Sequence, residues 1–253
     1  MWHIHDVKKT ARSKMSPAYW KSVLVALILA FVTGSMAGSA GAASGAGAQI
    51  SSAIGPSTQF YAGQFPGGFH WSFQFPFFPW SILIFTVILV VIVFLISIAI
   101  NLFLLNPIES GCQRFFIINH VETGRTKISE IFHGFGNGYL NVVKTMFLRD
   151  LYTILWTMLF IIPGIVKTYS YRLVPYILAE EPGMSSKEAF RLSRSMMNGN
   201  KWHAFLLDLS FIGWNILNFF TFGILGIFYV RPYKATADAE MYITIRDQFL
   251  GRA

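Results

Sequence analysis

From Ser22 to Ile108 the chain carries no Lys, Arg, Asp or Glu, and two long apolar runs, 22–38 and 81–105, lie inside that stretch. Water does not tolerate so much uncharged chain in one piece. A bilayer does, because about 20 consecutive apolar helical residues cross its hydrocarbon. Composition points the same way: 54% of residues are hydrophobic and 13% charged, against about 25% charged in a soluble domain. The expected fold is therefore all-α, a polytopic membrane helix bundle, with 1–253 as a single integral membrane domain.

Six membrane helices in three hairpins are expected, over 20–38, 80–105, 144–162, 165–178, 202–219 and 222–242, joined by short interfacial cytoplasmic helices. Asn106-Pro107 is expected to end the second helix, and Pro163-Gly164 to turn the second hairpin. The fourth segment reaches only about 21 Å at 1.5 Å per residue, against roughly 30 Å of hydrocarbon. It also holds Lys167 and Arg172, so it either spans with snorkelling cations or re-enters.

The net charge is +8, and the cations cluster before the first segment, in 106–143, in 180–201 and at the C-terminal end. The segment 39–79 contains no Lys or Arg. The positive-inside rule then places both termini, 106–143 and 180–201 in the cytoplasm and 39–79 outside. That outer loop is Gly/Ala/Ser-rich at first and dense in Phe and Trp from Phe60 to Trp80, which suits an interfacial belt or a lid over the bundle. The first apolar run is long enough to stay as an anchor rather than be cleaved. No recognition motif accompanies the basic residues, so no nucleic-acid partner is expected. The partners expected are membrane lipids with an anionic inner leaflet, and a membrane protein or a second copy of the chain.

Three cytoplasmic stretches share a pattern in which Met15, Phe135 and Met197 fall five residues before Trp20, Leu140 and Trp202. Each reads as an amphipathic segment, a turn and the entry to a hairpin. Ser185 and Glu188 form a capping box for the third copy, and Asn198-Gly199 supplies its stop. The protein is expected to repeat this unit three times.

Ser22, Ala26, Ala30, Gly34 and Gly38 place small residues at every fourth position of the first helix. Such a stripe lets helix backbones approach in lipid, within the bundle or across a homodimer. Arg149, Asp150, Lys167, Arg172 and Asp208 form a candidate intramembrane charge network, which serves either as interhelical ion pairs or as an ion pathway. Ser97 and Asn101 are expected to hydrogen-bond to neighbouring helices. Glu180-Glu181 reads as solvated. Cys112, the single cysteine, excludes an internal disulfide. No nucleophile elbow, zinc-protease or phosphate-loop sequence is present, so no catalytic residue, cofactor or metal is expected.

The run Leu159-Phe-Ile-Ile-Pro-Gly-Ile-Val-Lys167, continuing to Glu180, is followed by Asn198-Gly-Asn-Lys-Trp202, Leu209 to Trp214, Thr221-Phe-Gly-Ile224 and Pro232-Tyr233. This pattern resembles the bacterial integral membrane family called domain of unknown function 975, densely from about Leu140 to Tyr242. More distantly it resembles membrane domains attached to some glycerophosphodiester phosphodiesterases, whose catalytic domain has no counterpart here. The resemblance implies a bacterial plasma-membrane protein and supplies no catalytic residues. The expected role is a non-catalytic scaffold or envelope assembly factor, the alternative a small-solute permease or exporter subunit.

Overall fold

The computed structural model describes residues 2–33, 80–122, 124–136 and 138–251. The expected loop 39–79, with Gly34 and Gly38 of the small-residue stripe, lies outside the described residues. Among the described residues the secondary structure is helical throughout, with no strand. Two helical runs, Ile4–Val32 and Ile84–Glu122, are long and apolar enough to cross a membrane.

The chain forms two compact units, residues 1–36 with 100–253, and residues 37–99. In the first unit α1 (Ile4–Met15) passes through a 3-10 turn into α2 (Tyr19–Val32). The described part of the second unit lies in α3 (Trp80–Ile100), whose large apolar side chains from Ile84 onward are exposed. Ser97 Oγ there donates to Val93 O at 2.8 Å. It serves its own helix rather than a neighbour, because the carbonyl one turn back is the nearest acceptor.

The first unit resumes with a π-helical turn, Asn101–Leu105, and then α4 (Asn106–Glu122). Asn106-Pro107 therefore does not end the helix as expected. The Asn106 amide reaches five residues back to Asn101 O. Pro107 has no N–H for Phe103 O, which instead accepts from Tyr139 Oη at 2.8 Å. The break is absorbed because a partner from elsewhere in the chain satisfies the freed carbonyl. The same device recurs at Pro232: a π-turn at Gly226–Val230 precedes it, and Phe228 O, four residues back, accepts from Tyr19 Oη at 2.7 Å.

A 3-10 segment, Ile128–Phe135, leads to α5 (Tyr139–Leu159). The chain then turns at Phe160, and α6 (Ile161–Tyr171) begins before Pro163. The turn is thus centred on Phe160 rather than on Pro163-Gly164. Proline suits the first helical turn, where its missing donor is unused. A Cβ on Gly164 would lie 2.6 Å from Thr157 Cα, so glycine is needed where α6 folds back on α5. After a break at Arg172-Leu173 comes α7 (Val174–Glu180), then α8 (Ser186–Met196), α9 (Lys201–Leu209) and α10 (Ile212–Phe220). The last helix, α11 (Arg231–Phe249), runs past the expected end. Ser185 Oγ caps α8 by accepting from the Glu188 amide, and Gly199 adopts the left-handed conformation at φ 81°.

Three sets of contacts tie the described helices of the first unit together. α1 packs on α11, the 3-10 segment on α4, and α8 on α6 and α7. Likewise α2 packs beside the π-turn before Pro232, α5 beside the π-turn before Pro107, and α9 on α6. The first two helices thus close on the last one. The anchors match as well: Trp20, Leu140 and Trp202 are 71%, 71% and 64% exposed. At the centre α4 touches both α7 and α11. Within the expected cytoplasmic segment 106–143, Cys112, Phe115 and Phe116 are core residues. Two glycines set the contact between α4 and the 3-10 segment, because a Cβ on Gly111 would lie 1.8 Å from Ile131 O, and one on Gly134 2.4 Å from Pro107 O.

Candidate functional site

Ion pairs, several of them inside the bundle, tie these segments together. Arg172, just after α6, donates through Nη1 and Nη2 to Asp208 on α9 at 2.6 and 3.0 Å, and through Nη2 to Asp238 on α11 at 2.9 Å. Lys234, one turn before Asp238, reaches Asp208 at 2.8 Å and Asp238 at 3.0 Å. Tyr169 Oη donates to Asp208 at 2.9 Å. Two cations thus face two carboxylates across three helical segments, a balance that offsets much of the cost of taking charge out of water.

A second group joins α4 to α5. Arg149 grips Glu109 through both terminal nitrogens at 2.8 and 3.2 Å, and its Nη2 lies 2.7 Å from Asp150. Here two carboxylates share one guanidinium. Two further pairs involve α11: Glu180 of α7 with Arg246, and His120 Nδ1 with Glu240 Oε2 at 2.6 Å. Glu180 is accordingly not the free solvated residue of the sequence reading, because Tyr242 Oη also donates to it at 2.7 Å.

The expected network is therefore divided. Arg172 and Asp208 share one group, Arg149 and Asp150 another, and Lys167 joins neither, its Nζ lying 4.9 Å from the Trp156 ring centroid. Sequence reasoning missed Glu109, Lys234, Asp238 and Tyr169. The i,i+4 spacing of Lys234 and Asp238 was the one local signal. The described part of the small-residue stripe, Ser22, Ala26 and Ala30, is buried, and α2 packs on α4 and α11. Burial pushes the Cys112 thiol up to about 12, with the Glu109 carboxylate adding to the effect. Burial also lowers His133, helped by the Arg114 guanidinium and opposed by Glu130. Among the described residues no group of three His, Cys, Asp or Glu side chains is placed to hold a metal ion.

Residues 160–248 match the model of the family described as Protein of unknown function (DUF975). The DUF975 match covers α6 to nearly the end of α11, so it contains the whole Arg172–Asp208–Lys234–Asp238 group and excludes the Glu109–Arg149–Asp150 group. No curated protein and no solved structure matches the chain.

Proposed function

We propose that the chain is an integral membrane protein without catalysis of its own, a scaffold or assembly factor of the envelope acting in the lipid phase. In this reading six membrane-embedded helices form three hairpins in a bacterial plasma membrane, with both termini cytoplasmic. Lipids surround the bundle, and the protein partner is another membrane protein or a second copy of the chain. The apolar face of α8 is turned onto the protein, with Ala189, Phe190 and Met196 buried. Its exposed cations Lys187, Arg191 and Arg194 are left for an anionic inner leaflet.

One observation carries the scaffold reading. Asp208 accepts from Arg172, Lys234 and Tyr169 at between 2.6 and 3.0 Å. An acid so committed holds helices together and is a poor relay. The permease or exporter alternative is favoured by the Glu109–Arg149–Asp150 group, where one carboxylate exceeds the cations.

Proton flux into liposomes holding the chain and a trapped pH dye separates the two. The scaffold reading expects flux no faster than in empty liposomes. It also expects Asp208→Asn to lower stability by an amount between the roughly 1 kcal/mol of an exposed pair and the 3–5 kcal/mol of a buried one. Adding Lys234→Met, which restores one cation to one carboxylate, recovers part of that loss. A flux abolished by Asp208→Asn at unchanged Tm establishes the permease instead.

A further inference from the structure

We infer that the hairpins 139–180 and 201–234 do not cross the bilayer: each enters the leaflet on the side of the chain termini, turns among its acyl chains and returns to the same face. This rests on the membrane reading above and deepens it, since it names the surface these turns engage.

The turn of the third hairpin is built for a solvent without hydrogen-bonding groups. Every amide from Thr221 to Ile227 donates within the chain. Thr221, Phe222, Gly223 and Ile224 reach the carbonyls of Leu217, Phe219, Asn218 and Thr221, and Ile227 reaches that of Gly223. The Leu225 amide reaches Thr221 Oγ1 at 3.4 Å, and the Gly226 amide reaches Asn218 Oδ1 at 2.6 Å. A turn in water leaves such groups to the solvent, whereas irregular backbone in hydrocarbon has to satisfy them itself. The polar side chains of Asn218 and Thr221 are spent on this task. Phe219, Phe220, Phe222 and Ile224 stand exposed around them, Phe222 at 97%. Trp, Tyr and charged residues, which favour the headgroup zone, are absent from 217–228.

Reach sets the depth. A rise of 1.5 Å per residue puts Phe222 at most about 21 Å from Asp208 and about 18 Å from Lys234. The same arithmetic puts Phe160 about 15 Å from Asp150, and Ile162 about 15 Å from Arg172. The hydrocarbon is roughly 30 Å thick. The Arg172–Asp208–Lys234–Asp238 group marks its near boundary, because α11 continues from it as a charged helix carrying Glu240, Arg246 and Asp247. Exposed Trp202 lies about 9 Å to the water side of Asp208, within the headgroup zone. Both turns then stop between the mid-plane and two-thirds depth. Lys167 fits this placement, since it sits about 8 Å above Arg172 and its stem can carry the ammonium back toward the near boundary.

The test uses the full chain with Cys112→Ala, reconstituted in phosphatidylethanolamine–phosphatidylglycerol vesicles, with one cysteine introduced by Phe222→Cys or Phe160→Cys. Phe220→Cys replaces the first if Phe222→Cys fails to fold. Each thiol is challenged with a membrane-impermeant maleimide from either side. Each is then spin-labelled, and its collisions with oxygen and with a water-soluble nickel chelate are compared. We expect no maleimide reaction from either side, and an oxygen-to-nickel collision ratio typical of the bilayer interior. Maleimide reaction from the face opposite the termini, in protein that floats with the vesicles, overturns the turn-back and leaves the membrane reading intact. Protein that stays in solution without vesicles or detergent overturns both.

Discussion

Replacing Tyr19 by Phe removes one hydroxyl, the one that donates to Phe228 O at 2.7 Å. That carbonyl has lost its helical partner to Pro232, so the substitution leaves a bare acceptor as well as a missing bond. A net hydrogen bond contributes about 0.5–1.5 kcal/mol, and an unsatisfied buried acceptor costs about 1–3 kcal/mol. Phe228 is exposed, at 45%, so the buried penalty does not apply in full and the expected loss is about 1–2 kcal/mol. At about 2–4 °C per kcal/mol for a chain of this size, Tm falls by about 2–8 °C. The decisive comparison is the same change in a Pro232→Ala background, where an N–H returns four residues beyond Phe228. There Tyr19→Phe should cost less than about 0.5 kcal/mol, giving a coupling of about 0.5–2 kcal/mol. Thermal unfolding of all four proteins in mild detergent, followed by tryptophan fluorescence, gives the cycle. Equal losses in the two backgrounds would refute the link between the tyrosine and the proline, and with it the account of the twin π-turn at Pro107 and Tyr139.

The Gly111→Ala variant should lose about 1–3 kcal/mol or more, because its methyl meets the Ile131 backbone, whereas Gly213→Ala, with nothing within 4 Å, should be neutral or gain up to about 1 kcal/mol from helix propensity; paired melting curves check this contrast. For Cys112, an ordinary value of 9.0 raised to about 12 means the folded protein keeps a neutral thiol where the unfolded chain ionises. Its contribution to stability is therefore complete below pH 9 and is lost progressively as pH rises toward 12. A maleimide should accordingly leave the native protein unmodified at pH 7–8 and react at once after denaturation, and rapid native labelling would contradict the burial.

The parts of this fold written in local sequence were the ones sequence could deliver. The spacing of Ser22, Ala26 and Ala30 announced a buried face, and Ser185 with Glu188 announced a helix start. Pro107 misled because its local effect is to stop a helix, and only Tyr139, far along the chain, lets the helix continue. Pro163 misled in the opposite sense, since a proline that breaks a helix interior is welcome in a first turn. The site was half legible for a similar reason. Arg172 and Asp208 stood out as charges among apolar residues, whereas Glu109 and Asp238 lie in ordinary polar sequence and acquire their roles through partners 40 and 66 residues away.

The closure of α1 and α2 onto α11 has a consequence for biosynthesis. The first two helices to leave the ribosome wait for the last segment before their joint with it can be sealed, and until then the Tyr19 hydroxyl and the Phe228 carbonyl lack each other. A contact between the two ends of a thread forms in one late step, so shortening the chain at its end should loosen its beginning.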